Sequence, residues 1–288
     1  MSQILHANTV KKSLTKKLKS ECKILKEKNI IPYLKVILVG SDPASLIYTA
    51  NKKKYCEKIG AQCDIIALDE NITEDIFLKT IKDINNDSKV DGCIIQLPLP
   101  KHLNHLDCGS LVAKEKDIDG FHPENVFALI SNNLKSHNFV SCTPKGIVTL
   151  LQENQIAIEG SHVVIIGRSM IVGKPLAMLL TNANATVTLC HTHTKNLKEI
   201  TKNCDILISA IGKAKFIDDS FISPKKNQVL IDVGMNTDTE GQLCGDVNFE
   251  KVSENVRAIT PVPGGVGPMT IVSLAQNLLQ ASKNRLFL

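Results

Sequence analysis

Residues 162–175 read H-V-V-I-I-G-R-S-M-I-V-G-K-P, and this stretch decides the fold. Val163 to Ile166 form a short apolar run of the kind a parallel strand buries on both faces, closed by Gly167. Pro175 then stands in the first turn of Pro-Leu-Ala-Met-Leu-Leu, which predicts a helix. A strand that breaks at a glycine and re-enters as a helix turns backbone N–H groups, and the positive end of the helix dipole, toward one point. That point suits a phosphate. The spacing G-R-S-M-I-V-G is a relative of G-x-G-x-x-G in which Ser169 replaces the second glycine and Gly173 comes one residue late. Taken alone, it fits an ordinary strand–turn–helix connection equally well.

The next residues along the chain favour a nucleotide. Ala185 to Cys190 is a second short strand after a helix of the length that a βαβ unit requires. A free ribose 2′-hydroxyl would call for Asp or Glu at its end. The chain there reads Cys190-His191-Thr192-His193-Thr194-Lys195, with no acid. Hydroxyls and cations, with Arg168 from the turn, tolerate a 2′-phosphate, which points to NADP before NAD.

The chain has 288 residues, enough for two domains of about 150 residues. Its hydrophobic content of 43% supports real cores. No apolar run approaches the roughly 18 residues that would span a membrane, and the N-terminus lacks the apolar core of a signal peptide. Nine cysteines without a C-x-x-C argue against a disulfide framework and for a reduced, cytoplasmic protein. The net charge of +5 is too slight to imply nucleic acid, although it would suit an anionic small molecule. Trp is absent and Tyr occurs three times, so a base-stacking platform would be poor. Neither nucleic acid nor a membrane is expected as a partner.

In the first half, Val10, Leu14, Leu18 and Leu25 share one face of a Lys-rich helix ending near Asn29. Leu34 to Val39 is a buried strand, Gly40 to Pro43 a turn with Ser41 or Asp42 as cap, and the helix after it carries Ser45, Tyr48 and Lys52 on one face. A lysine hemmed in by polar groups can handle a proton. The plainer reading is a solvated lysine, as for Lys53, Lys54 and Lys58 nearby. Cys63 to Leu68 and Val90 to Ile95 are further strands, with a helix between Thr73 and Asn85. The second ends in Gln96-Leu-Pro-Leu-Pro, and polar residues at the carboxyl ends of parallel strands are where open α/β sheets meet ligands. Gln96 could equally be a turn residue. In K-D-I-D-G-F-H-P, residues 116–123, Asp117 and Asp119 alternate, so only one faces a given side. Asp119 could accept paired N–H bonds from an amino-heterocycle. No cluster of ligands completes a metal site, and none is expected.

Six segments now stand in one order from Ser45 to Thr270: S-L-I-Y-T-A-N-K, I-I-Q-L-P-L-P, K-D-I-D-G-F-H-P-E-N-V, C-T-P-K-G, G-R-S-M-I-V-G-K-P and P-V-P-G-G-V-G-P-M-T. Together they closely resemble the bifunctional methylenetetrahydrofolate dehydrogenase/methenyltetrahydrofolate cyclohydrolase family over essentially the whole chain. The resemblance implies two α/β domains flanking a cleft, the second a Rossmann-type dinucleotide-binding domain, in a homodimer joined through that second domain. The expected division is 1–142 for a folate-binding catalytic domain, with 269–288 packing back on it, and 143–268 for an NADP-binding domain.

The resemblance also implies roles. Lys52 matches the catalytic lysine, Gln96 its hydrogen-bond partner, Tyr48 the ring beside the pterin, and Asp119 the carboxylate that holds the pterin. Leu97, Pro98, Pro263, Gly264, Gly265 and Val266 match folate-contacting segments. Gly167, Arg168, Ser169, Val172, Gly173, Thr192 and Met235 match cofactor positions. Ser141 stands where the family commonly has Pro, and Met235 replaces a usual Ile. The implied chemistry is oxidation of 5,10-methylenetetrahydrofolate by NADP, then hydrolysis of the methenyl product to 10-formyltetrahydrofolate. The substrate is a tetrahydrofolate, with Lys53, Lys54 and Lys58 as candidate contacts for a polyglutamate tail. A dehydrogenase without cyclohydrolase activity and a non-catalytic folate- or nucleotide-binding protein are the rivals. In the second half, Lys145 to Asn154 is a helix entered through Thr143-Pro144, and Asp205 to Ser209 and Val229 to Val233 are strands. Asn236 to Val247 reads as an exposed hairpin, a dimer arm or a plain loop. Pro261 to Pro268 is a stiff loop ahead of an apolar helix from Ile271 to Leu279.

Overall fold

The computed structural model describes residues 2–285. The chain divides into two compact units, one comprising the residues up to Lys12 with Thr143–Thr270, the other Ser13–Cys142 with the residues from Ile271 onward.

In the first unit, the strand that opens residues 162–175, His162–Ile166, lies next to one edge of a six-stranded sheet. The strand order is Gln3–Ile4, Ala258–Ile259, Val229–Asp232, Ile206–Ser209, His162–Ile166 and Thr186–Cys190, and every pairing is parallel. Alternate residues feed opposite faces, as the pleat demands. Val163, Ile165, Ile206, Ile208 and Ile231 join Ile147, Leu151, Leu176 and Leu180 on one side. Val164, Ile166, Leu207 and Leu230 join Ile217, Phe221, Val252 and Val256 on the other. The chain runs outward from His162–Ile166 to Thr186–Cys190, then returns to Ile206–Ser209 on the other flank. The order therefore reverses between His162–Ile166 and Ile206–Ser209, the switch point where such sheets open a crevice.

The expected division differs at the N-terminus. Gln3–Ile4 is an edge strand beside Ala258–Ile259, Leu5 N donates to Ile259 O at 2.8 Å, and Leu5 is fully buried. Two strand residues carry too little pattern to be read beforehand. Two helix starts also come earlier than expected, at Cys142 rather than Lys145 and at Val266 rather than Ile271. Pro144 and Pro268 lie in those first turns, where proline's missing N–H has no intrahelical acceptor to lose. The hairpin forms between Asn236–Thr237 and Leu243–Cys244, but Gly245 to Val247 are buried rather than exposed.

The second unit has a three-stranded parallel sheet, Tyr33–Val39 between Gln62–Leu68 and Gly92–Ile95. Ile37, Val39, Cys93 and Ile95 pack on Phe77, Ile81 and Ile84 of the helix Glu74–Asn86. The helix Pro43–Ile59 opens with Asp42 accepting the Ser45 N–H at 2.8 Å and closes at Gly60. In the helix Ala7–Glu27, Val10, Leu14, Leu18 and Leu25 are buried, together with Cys22. None of the helices among the described residues is long and apolar enough to cross a membrane.

Candidate functional site

Lys52 lies on the helix Pro43–Ile59 and is only 7% exposed. Its Nζ donates to Gln96 Oε1 at 2.9 Å, and the Tyr48 ring centroid is 5.2 Å away. Gln96 follows the strand Gly92–Ile95, and its N–H continues the ladder by donating to Ile37 O at 2.9 Å. Its Nε2 donates to Leu97 O at 2.7 Å, which leaves Oε1 for the amine. The side chain is thus oriented at both ends. Leu97 is half-buried, and Pro98, joined to it by a cis peptide bond, is exposed. Ser45 is buried, its N–H donates to Asp42 at 2.8 Å, and its N–H and side chain together hold the Asp42 carboxyl below the usual carboxylate range. Lys53 is half-buried, while Lys54 and Lys58 are exposed.

Most of K-D-I-D-G-F-H-P holds the loop itself together. Lys116 Nζ donates to the carbonyls of Ile84 and Asp87 at 2.8 and 2.6 Å, closing the carboxyl end of the helix Glu74–Asn86. Asp117 is buried and accepts from the backbone of Gly120, Phe121 and His122 and from Asn125 Nδ2. Burial pushes its carboxyl up to about 6 against those bonds. His122 Nδ1 accepts the Glu124 N–H at the start of the helix Pro123–Ile130. Gly120 has φ +76, and a Cβ there would come within 2.5 Å of Ser141 N. Asn277, fully buried, donates to Ile118 O at 2.8 Å and Val140 O at 2.9 Å. Asp119 is left as the half-exposed carboxylate of a loop fixed on both flanks.

In the other unit, Gly167 has φ +123, and a Cβ there would lie 2.3 Å from Ala210 O. A Cβ on Gly173 would lie 1.9 Å from Gly167 O. Both positions are closed to any side chain, so the turn lies flat on the switch point. Ser169 Oγ accepts from Val172 N at 3.1 Å and Gly173 N at 3.4 Å, entering the helix Gly173–Asn182. Arg168 and Ser169 are exposed. Gly167 N donates to Cys190 O at 2.9 Å, which seats the turn beside residues 191–195. Thr192 is exposed there, and His191 is held below its ordinary pKa by partial desolvation and by the Arg168 charge. A bare backbone cradle, a helix start, an arginine and no acid fit a phosphorylated dinucleotide.

Met235 is 56% exposed, with its Cε 3.6 Å from where a Gly267 Cβ would stand. Pro263 is exposed, and Gly264 O accepts the Ala7 N–H at 2.9 Å. Gly265 is buried. The Val266 side chain is 4% exposed within the sheet core, which leaves only its backbone for the expected folate contact. Two buried carboxylates, Asp232 and Asp246, are missed by the sequence reading. Asp232 ends a parallel strand as Gln96 nearly does, so the same rule would have flagged it. Among the described residues, no group of three or more His, Cys, Asp or Glu side chains could hold a metal ion.

Comparison with known proteins bears on both units. Residues 5–119 match the catalytic domain, and residues 141–286 the NAD(P)-binding domain, of tetrahydrofolate dehydrogenase/cyclohydrolase. The bifunctional protein FolD of Agathobacter rectalis is 47% identical over 283 residues, 98% of this chain and 100% of that protein. The FolD methylenetetrahydrofolate dehydrogenase/cyclohydrolase structure from Campylobacter jejuni is 41% identical, with a TM-score of 0.93 and coverage of 99% of this chain and 100% of that one. The Trypanosoma brucei methylenetetrahydrofolate dehydrogenase-cyclohydrolase, solved with NADP and an inhibitor, is 31% identical, with a TM-score of 0.92 and coverage of 99% and 98%. With both halves matched in order and relatives this near along their full length, the chain belongs to the tetrahydrofolate dehydrogenase/cyclohydrolase family.

Proposed function

We propose that this chain oxidises 5,10-methylenetetrahydrofolate with NADP and hydrolyses the methenyl product to 10-formyltetrahydrofolate, with Lys52 handling the proton. The observation that carries this reading is the buried Lys52 amine, bonded to Gln96 at 2.9 Å beneath the Tyr48 ring. In its neutral form a primary amine has two N–H donors and one lone pair. Gln96 Oε1 takes one donor, which leaves the lone pair for a water attacking the methenyl carbon. The Tyr48 ring offers an apolar face to the pterin, and the Asp119 carboxylate accepts its ring N–H and amino N–H as a pair. Leu97, Pro98, Pro263, Gly264, Gly265 and the backbone of Val266 are assigned to folate on the family resemblance.

NADP, when bound, supplies the hydride acceptor. Gly167, Ser169, Val172 and Gly173 would receive its pyrophosphate by backbone approach and helix dipole, and Met235 would lie along its apolar surface. Arg168 with Thr192 would meet the 2′-phosphate, and the absence of an acid after Cys190 supports NADP over NAD. Nine free thiols support a reducing, cytoplasmic setting. The Asn236–Cys244 hairpin, with Leu243 46% exposed, supports a homodimer through this unit, and exposed Lys54 and Lys58 support a polyglutamate tail.

Lys52→Met tests the assignment. Cyclohydrolase activity should fall about 10²- to 10⁴-fold while folate still binds by calorimetry. Full activity in that variant would remove Lys52 from the mechanism. A spectrophotometric assay of methylenetetrahydrofolate with NADP against NAD tests the cofactor assignment.

A further inference from the structure

Asp232 and Asp246 are buried together at the carboxyl ends of the parallel strands, 3% and 0% exposed. Their partners are N–H and O–H dipoles. Asp232 accepts from the backbone of Gly234, Asp246 and Val247, each at 2.9 Å. Asp246 Oδ2 accepts Ile211 N at 2.8 Å and Ser209 Oγ at 3.1 Å, and its Oδ1 accepts Lys213 N at 2.9 Å and Asn236 Nδ2 at 3.0 Å. The approach is so close that a Cβ on Gly234 would lie 2.2 Å from Asp246 Oδ1, and one on Gly245 would lie 1.8 Å from Asp232 Oδ2.

The Asp246 carboxylate therefore ties together two separate stretches of the dinucleotide end of the sheet. One is the turn Ala210 to Lys213, whose first carbonyl lies against the bare face of Gly167. The other is Asn236, next to Met235. The Ala210 backbone is held from its own side by donation to Ile166 O at 2.9 Å, so the turn is pinned between a strand and a buried charge. Four donors converging on one carboxylate are a strong constraint, because losing it leaves a buried hydroxyl and three part-buried N–H groups without that acceptor.

We propose that Asp246 is a positioning residue for the dinucleotide, setting the Gly167 turn against the Met235 segment so that both engage the cofactor at once. It touches no substrate. The inference rests on the assignment of the dinucleotide to the Gly167 turn, and a wild-type control separates the two: wild type that does not bind NADP overturns the assignment itself. The experiment compares Asp246→Asn with wild type, with Ser209→Ala and Asn236→Ala as variants that each remove one donor and leave the carboxylate solvated by the others. The KM for NADP should rise about tenfold or more in Asp246→Asn, with kcat at saturating NADP within about threefold. The milder variants should show smaller rises of the same kind. Cyclohydrolase activity, assayed on methenyltetrahydrofolate without NADP, should be unchanged in all three. A purely structural role would lower both activities together. An unchanged KM for NADP in Asp246→Asn overturns the proposal. Should that variant fail to fold, unchanged NADP affinity in both Ser209→Ala and Asn236→Ala overturns it instead.

Discussion

The Lys52 region and the Gly167 region solve opposite problems. Around Lys52 the parts brought together are side-chain atoms: an amine, an amide held at both ends and an aromatic ring. Around Gly167 the working part is the backbone, and the structure achieves it by excluding side chains, since a Cβ at Gly167 or Gly173 would meet a carbonyl at 2.3 or 1.9 Å. Chemistry that moves a proton needs one atom in one place, so it is built from a long side chain and its supports. Holding a pyrophosphate needs several N–H groups converging, so it is built from main chain, and supports such as Asp246 act on the main chain too. The first kind of site is lost by deleting atoms and the second by adding them.

That contrast can be broken most directly by pairing Lys52→Met with Gly173→Ala. Lys52→Met should lose cyclohydrolase activity about 10²- to 10⁴-fold and keep NADP binding. Gly173→Ala adds one methyl where there is no room, at a cost of about 1–3 kcal/mol, and should lose NADP affinity while cyclohydrolase activity survives. Measuring both activities and NADP titrations on both proteins checks this. Equal loss of both activities in either variant would erase the distinction.

A smaller effect treats the two regions alike. Burial pushes the carboxyls of Asp117, in the Lys52 unit, and Asp232, in the Gly167 unit, from 3.8 up to about 6. A folded-state value above the ordinary one means that the stabilising contribution is complete below about pH 3.8 and is lost as pH rises through about 6. Between pH 5 and 7.5 each group should cost on the order of 1 kcal/mol. Urea midpoints across that range should fall less steeply in Asp117→Asn and in Asp232→Asn than in wild type. Parallel slopes would show that neither group titrates there.

The smallest effect sharpens the dinucleotide side. Thr192→Asp should weaken NADP more than NAD, by about tenfold in the ratio of their KM values, because a carboxylate would face the 2′-phosphate. Equal losses would separate Thr192 from cofactor choice.

The same division separates the legible parts of the chain from the hidden ones. Apolar runs closed by glycine gave away the strands Tyr33–Val39 and His162–Ile166, and a helix face carried Tyr48 and Lys52 together. The Lys52–Gln96 contact was legible only as a possibility until the family resemblance joined the two segments, because 44 residues separate them. Asp246 and Asn277 were not legible at all. Asn277 bonds to distant carbonyls that any residue supplies, and Asp246 to two backbone N–H groups besides Ser209 and Asn236, so nothing in the letters at the far end marks the partner. Val266 shows the converse: its neighbours point to ligand chemistry, but packing claims its side chain and leaves only its backbone for a ligand. The prolines and glycines of residues 261–268 read as loop to the last of them, which puts the expected helix start at Ile271 rather than Val266.

The short strand Gln3–Ile4 has a consequence for synthesis and for engineering. As the chain leaves the ribosome, these residues emerge long before Ala258–Ile259, the strand that receives them. The unit around the dinucleotide turn therefore cannot close as a contiguous stretch of newly made polypeptide. An excised fragment covering only 143–270 would present Ala258–Ile259 as a bare parallel edge, with the space filled by Leu5 left empty. Such a fragment should self-associate, and supplying residues 2–12 as a peptide or by circular permutation should restore it.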